Sequence, residues 1–434
     1  MSQFNDQNRD QRIADVKNGY SQLWNVKSHA ELQALSKEYG NSFFILDTDR
    51  FRTNIRALQS AFLDHYPKVR IGYSFKTNYT PALCKIALEE GAYAEVVSEM
   101  EFALAKTLVS EPSRTIFNGP YKAEWAFKEA ALSGATINLD SHRDLEMLSA
   151  ASRDAGNSSI NAVIRCNFSI GEQISRFGFD TEANGFQRVV ESIAELQNVN
   201  LRGLHCHFPD RDLESFGVRA HKIVELAKRL FPDQPPEILN LGGGYFSNMP
   251  ESLKASRIET PATFSDYGRL VGTTLSKAFA GADRMPTLFI EPGTAVVADT
   301  QMFYSRVIST KTIRGKGFAT IAGSIFDISP NARSKGMPFV HIAKRTSIDE
   351  TAEMMHEIVG YTCIEGDVLT TDLSLPIRAG DFVGYSNVGS YSVVMRPPFI
   401  LPANPVLMQD GPDGAISIAK RRQSNQSVFQ DFEY

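Results

Sequence analysis

Eight short apolar runs, most of them separated by stretches of helical period, occupy the middle of this 434-residue chain. They are Val69–Lys76, Ala94–Ser98, Thr115–Asn118, Thr136–Asp140, Asn161–Asn167, Leu201–His207, Glu237–Leu241 and Thr287–Glu291. Runs this short and this apolar suit strands covered on both faces, and helices between them demand parallel pairing. Helical patterns such as Pro81–Glu90, Glu99–Val109, Ala123–Ser133, His142–Ala155 and Phe216–Phe231 fill the gaps. Eight such units predict a closed (β/α)8 TIM-type barrel, whose reactive groups collect at the C-terminal strand ends.

The texture changes after Pro292. Met302–Thr312, Phe318–Ala322, Val340–Arg345, Glu357–Cys363, Leu373–Ile377 and Asp381–Ser386 read as strands joined by Gly, Pro, Asn and Asp turns. A C-terminal all-β domain therefore follows the barrel. The expected division is an N-terminal arm over 1–40, the barrel over 41–297, the β-domain over 298–410 and a polar tail of little structure over 411–434. Ser42–Leu46 also reads as a strand and is assigned to the β-domain sheet.

Composition narrows the class of protein. A formal net charge of −5 without a long basic run gives no footing for nucleic acid. The N-terminus lacks an apolar signal core, and no apolar run reaches membrane-spanning length. Cys84, Cys166, Cys206 and Cys363 have neither zinc-site nor disulfide spacing, so no metal is expected and a cytoplasmic location is.

Five segments carry residues with chemistry. In Ile71-Gly-Tyr-Ser-Phe-Lys76, strand alternation puts Gly72, Ser74 and Lys76 on one face, directing the amine into the barrel mouth. A lysine that merely opens a loop is the other reading. In Leu201-Arg-Gly-Leu-His205-Cys-His207, both imidazoles share the inward face, either to stack on a flat ligand or as satisfied core histidines. Gly242-Gly243-Gly244 after an apolar strand lets backbone N–H groups approach a phosphate, although a tight turn needs glycines too. Glu291, on the face of Phe289, is a carboxylate inside a barrel and so requires a cationic or proton-bearing partner. Cys363, in Gly360-Tyr-Thr-Cys-Ile-Glu-Gly-Asp367, is either a small hydrophobe or a proton donor in a cleft.

Taken together, Lys-Thr-Asn after a strand, His-x-His, Gly-Gly-Gly, Glu-Pro-Gly, Cys-x-x-Gly-Asp and Gly-x-Tyr follow one another in a familiar order. Across roughly residues 41–400 the chain resembles the fold-type III pyridoxal-phosphate decarboxylases, the diaminopimelate and ornithine decarboxylase group, whose barrel is alanine-racemase-like. Asn118 with Lys122, Asn138-Leu-Asp140-Ser141 and Ser175-Arg-Phe177-Gly178 strengthen the match. The resemblance implies a lyase using pyridoxal 5'-phosphate, with Lys76 holding the cofactor as a Schiff base and His207 stacking on its ring. It further implies Glu291 on the ring nitrogen, and Gly242, Gly243, Gly244 and Tyr391 at the phosphate. Cys363 would cross to the partner's site and reprotonate Cα, which makes the protein a homodimer with shared active sites. Alanine racemases set an arginine beside the ring nitrogen, so the carboxylate of Glu291 favours decarboxylation.

Three departures from the family pattern bear on function. Phe208-Pro209-Asp210-Arg211 stands where a Gly-Ser turn contacts the phosphate, and Thr294 replaces an arginine after Glu-Pro-Gly. Arg211 is the candidate to restore those contacts; a plain surface role is the alternative. Ile364 stands where decarboxylases of basic amino acids carry an acid for the substrate's distal ammonium. Ile364, with Arg333 as a candidate partner for a distal carboxylate and Tyr391 beside the substrate, leads to the expectation of an amino acid or conjugate that is not basic, such as a siderophore precursor. An amino-acid racemase or epimerase is a second reading, and a non-catalytic decarboxylase-like binding protein a third.

Overall fold

The computed structural model describes residues 26–172, 174–250, 253–254, 260–329, 337–344, 355–411 and 414–433. Arg333 lies outside the described residues. The chain divides into two compact units, one of residues 51–247 and 261–296, the other of the segments before, between and after them.

Among the described residues of the second of these units, the first helix is α1 (His29–Tyr39), started by a Ser28–Glu31 capping box that satisfies its first free N–H groups. Strand β1 (Ser42–Asp47) follows and pairs with segments far along the chain. Helix α2 (Thr48–Leu63) then leads into the barrel.

The barrel strands are β2 (Val69–Ser74), β3 (Tyr93–Val96), β4 (Thr115–Phe117), β5 (Thr136–Leu139), β6 (Ile160–Asn167), β8 (Val199–His205), β9 (Ile238–Asn240) and β10 (Thr287–Ile290). All neighbours pair in parallel, and the β10–β2 and β5–β6 ladders close the ring. β7 (Phe179–Asp180) only flanks β6. Each expected barrel run holds one of these strands. Helices α3 (Pro81–Glu89), α4 (Glu99–Leu108), α5 (Glu124–Ser133), α6 (His142–Asp154), α7 (Phe186–Ala194), α8 (Leu213–Leu230) and α9 (Phe264–Ala278) lie between them in sequence. Inward side chains Ile116, Val163, Ile238 and Phe289, with Tyr93, form an apolar floor. The barrel is thus plugged below and polar only at its C-terminal mouth.

The other unit is a nine-stranded sheet that includes β1, β11 (Gln301–Ile313), β12 (Lys316–Ile321), β13 (Phe339–Ile342), β14 (Met355–Val359), β15 (Val368–Ser374), β16 (Phe382–Tyr385), β17 (Val406–Asp410) and β18 (Ala415–Lys420). β1 pairs antiparallel with β11, Phe43 opposite Tyr304 and Ile45 opposite Met302, and parallel with β17. Leu32, Phe43, Ile45, Met302, Tyr304, Val340, Phe382 and Leu407 form its core. Two expectations shift here. Residues 414–433 are no unstructured tail: β18 pairs with β17 and a helix spans Asn425–Phe429. Its alternation Ala-Ile-Ser-Ile-Ala-Lys is that of a half-exposed edge strand. β15 runs Val368–Ser374 rather than Leu373–Ile377, starting directly after the Gly366-Asp367 turn.

Candidate active site

β2 ends at Ser74, and Phe75–Thr77 form one turn of 3-10 helix. Lys76 is therefore not on the strand, and alternation does not set its direction. The turn nevertheless delivers its Nζ to the mouth, 2.7 Å from Glu95 Oε2 and 3.3 Å from Ser74 Oγ. Glu95, on β3 and opposite Ser74 in register, is wholly buried. Gly72 leaves this space open, since a side chain there would meet Ile116, Glu291 and Glu95.

A row of amides connects Glu95 to Glu291. Asn118 Nδ2 donates to Glu95 Oε1 at 2.8 Å and to Glu291 Oε1 at 2.9 Å, and Asn138 donates to Asn118 Oδ1. Asn240 Nδ2 donates to Glu291 Oε1 at 2.6 Å, and His205 Nε2 lies 3.2 Å from Oε2. Burial alone would raise the Glu291 pKa; His205, Lys76 and the Asn240 amide outweigh it and lower the carboxyl to about 2. Glu291 is consequently a carboxylate with two donors on Oε1 and one on Oε2, leaving acceptor capacity on Oε2.

His207 lies just beyond β8. The Gly243 N–H donates to its Nδ1 at 2.9 Å, so its proton sits on Nε2. Burial, with the positive charges of Arg165 and Lys76, pushes its pKa well below 6.5, and the ring is neutral. The glycines are obligatory where the backbone crosses closely: a Cβ on Gly243 would stand 2.4 Å from Glu291 O, and one on Gly242 would stand 2.6 Å from Cys206 O. Among the described residues, the N–H groups of Gly244 and Tyr245 have no protein partner. Arg211, by contrast, lies over the Phe246 ring at 5.9 Å. Arg165 pairs with Asp140 at 2.8 Å, and Lys122 with Asp144 at 2.7 Å, both pairs buried.

Cys363, Ile364 and Tyr391 belong to the other unit. Cys363 is exposed in a turn built on buried Asp367, which accepts from Thr362 Oγ1 at 2.6 Å, Ile325 N at 2.7 Å and Ser324 Oγ at 3.0 Å. A Cβ on Gly360 would stand 2.0 Å from the same carboxylate. Tyr391 has φ +64° in a turn that Gly389 N ties to Ala298 O at 2.9 Å.

The barrel mouth brings Lys76, His207, Gly242, Gly243, Gly244 and Glu291 onto adjoining strand ends. Glu95, Asn118, Asn240 and His205 complete the set, and only the inward face of His205 and the family mark Asn118 were noted in the sequence. The signal for Glu95 was a charged residue in the middle of an apolar barrel strand. An amine, a buried carboxylate with acceptor capacity to spare and a glycine turn with open N–H groups fit pyridoxal 5'-phosphate. Among the described residues, no group of three His, Cys, Asp or Glu could hold a metal.

Comparison with known proteins adds the family. Residues 52–298 match the family model "Pyridoxal-dependent decarboxylase, pyridoxal binding domain". The diaminopimelate decarboxylase of Bacillus subtilis is 24% identical over 396 residues, 85% of this chain and 88% of that protein. That of Methanothermobacter thermautotrophicus is 26% identical over 409 residues, 91% and 92% of the two chains. The structure of diaminopimelate decarboxylase from M. jannaschii in complex with L-lysine superposes with a TM-score of 0.82 at 20% identity, covering 93% and 94% of the two chains. The putrescine complex of a Vibrio vulnificus lysine/ornithine decarboxylase gives 0.71 at 18% identity, over 88% and 97%.

These relatives overturn the expectation of a substrate that is not basic. That expectation rested on Ile364 stranding a buried ammonium, but Ile364 is 43% exposed. One apolar side chain on a turn does not determine what faces a distal ammonium, so its type alone could not exclude a basic substrate.

Proposed function

This chain belongs to the pyridoxal-dependent decarboxylases, and from that premise we propose that it removes the α-carboxylate of diaminopimelate or a closely similar basic amino acid. It is a pyridoxal-phosphate-dependent carboxy-lyase acting on a small amino-acid substrate. The observation that carries the reading is the unbroken contact path Lys76–Glu95–Asn118–Glu291 at one end of the barrel.

Pyridoxal 5'-phosphate supplies the sink for the electron pair released when the Cα–carboxylate bond breaks. Lys76 offers the amine that would hold it. Glu291, kept ionised by its neighbours, would hold a proton on the ring nitrogen. Neutral His207 would present its flat face to the ring. Gly242, Gly243 and Gly244, with Tyr391, would receive the phosphate. We assign cofactor binding to residues 51–247 and 261–296 and, to the β unit, the residues that complete a second copy's site.

In that arrangement Cys363 returns a proton to Cα in the partner's site, within a homodimer. Supporting this, Ile364, Met395, Phe399, Ile400 and Leu401 are exposed apolar side chains on the unit that carries Cys363, and the Tyr361 hydroxyl is 3.3 Å from Phe399 O. Ile400 also has φ +64°, a strained conformation for a β-branched residue and one that clusters at working surfaces. We also infer a cytoplasmic location, a reading supported by four cysteines that are all free.

The test is carbon dioxide release from diaminopimelate, lysine and ornithine by purified protein loaded with the cofactor. Release from diaminopimelate that Lys76→Ala abolishes supports the reading. Cα deuterium exchange without carbon dioxide from all three would replace it with racemisation.

A further inference from the structure

Arg219, on α8, is among the largest side chains in the protein with no exposure at all. Its guanidinium donates only to neutral oxygens. Nε and Nη2 reach Ser215 Oγ at 3.2 and 3.0 Å, Nη1 reaches Gly243 O at 3.2 Å, and Nη2 reaches Phe208 O at 3.2 Å and also Asp210 O. The rings of Phe216 and Phe208 cover it at 4.1 and 5.7 Å. Among the described residues no carboxylate lies within ion-pair distance. A buried cation without an anion is costly, and an anion bound nearby would offset that cost.

The carbonyls it grips indicate which anion. Phe208 and Asp210 lie in the loop after β8, and Gly243 lies in the turn after β9. One side chain thus ties together the two segments from which phosphate contacts are expected. Across a trans peptide the C=O and N–H point in opposite directions. Holding Gly243 O toward α8 therefore turns the Gly244 N–H away from it, and that N–H has no protein partner. Gly244 itself is only partly buried, with φ +102°.

We propose that Arg219 is the positioning residue and buried counter-charge of the phosphate subsite, acting through the Gly243–Gly244 peptide and the Phe208–Asp210 loop. It takes over what the missing Gly-Ser turn supplies in relatives, a task that sequence alone assigned to Arg211. The proposal rests on the cofactor reading above. Its ligand is a phosphate monoester dianion rather than the pyridine ring.

The experiment compares apo wild type, Arg219→Met and Arg219→Lys in titrations with pyridoxal 5'-phosphate, with pyridoxal and with inorganic phosphate, alongside thermal unfolding of each apo-protein. Arg219→Met should weaken pyridoxal 5'-phosphate by about tenfold or more, the worth of one hydrogen bond to a charged group. Pyridoxal, which lacks the phosphate, should bind all three proteins alike, and inorganic phosphate should protect wild type against unfolding far more than Arg219→Met. Arg219→Lys keeps the charge but loses the forked grip, so its preference for the phosphorylated form should fall between the other two. If Arg219→Met does not fold, the Lys variant decides by the same ratio. An undiminished preference in whichever variant folds overturns the proposal. A wild type that takes up neither form sinks the cofactor reading instead.

Discussion

Lys76, in the turn after β2, and Glu95, on β3, meet at 2.7 Å, and the carboxylate is the wholly buried member of the pair. Glu95 also accepts from Ser74 and Asn118, so it sets where the amine rests. Glu95→Gln should retain the fold, slow cofactor uptake and lower kcat/KM by about a hundredfold, the usual cost of a misplaced reacting group. Stopped-flow uptake of the cofactor and steady-state decarboxylation measure both. Wild-type values in the variant would remove Glu95 from the site.

Glu291 ionises more readily in the folded protein than in the unfolded chain, with its pKa lowered from 4.5 to about 2. Its stabilising contribution is complete above the unfolded value and disappears as the pH falls from about 4.5 to about 2. At about 1.4 kcal/mol per tenfold change in proton affinity, the contribution is on the order of 3 kcal/mol. Glu291→Gln should accordingly cost stability at neutral pH, and the gap to wild type should narrow in acid. Urea unfolding of both proteins across that window tests this; a gap that stays constant contradicts it.

The Cys363 turn depends on Asp367 and on the absence of a side chain at Gly360. Gly360→Ala should cost about 1–3 kcal/mol through overpacking and, where the chain still folds, should reproduce the defect of Cys363→Ala. That defect is slow turnover with part of the product protonated at the wrong carbon, while cofactor affinity stays at the wild-type level. Product analysis by NMR in deuterated water distinguishes these variants from ones that damage the barrel. Full activity in Cys363→Ala would remove the thiol from the reaction.

If two copies share sites, Lys76→Ala and Cys363→Ala should rescue each other. Random exchange of subunits leaves half of the dimers mixed, each with one intact site, giving about a quarter of wild-type activity. Phe399→Asp and Ile400→Asp should lower both rescue and dimer mass in sedimentation. A mixture as inactive as its components would mean that each chain completes its own site.

Every barrel strand was readable because runs of apolar residues between helical segments have few other uses. What escaped were polar residues in apolar company. Glu95 sits in Tyr-Ala-Glu-Val, too short a strand for alternation to announce an inward carboxylate. Arg219 shares the buried face of α8 with Phe216, Ala220, Ile223 and Ala227, where a lone charge reads as a flaw in a helical pattern. Lys76 was found by an argument that the structure amends, because the strand stops two residues earlier. The substrate was misjudged from the type of Ile364, since the residue that faces a distal ammonium is set by the fold and not by one position in the sequence. β18 was missed because an edge strand with one wet face resembles a polar tail.

The contact between Gly243 and His207 limits the pH behaviour of the whole site. A peptide nitrogen can give a proton's share of a bond but never receive one, so the lone pair it occupies is closed to acid. That bond and the ring's burial act in the same direction, holding the imidazole toward its uncharged form and its pKa well below the ordinary range. An inflection of the rate near neutrality is accordingly expected from a group other than His207.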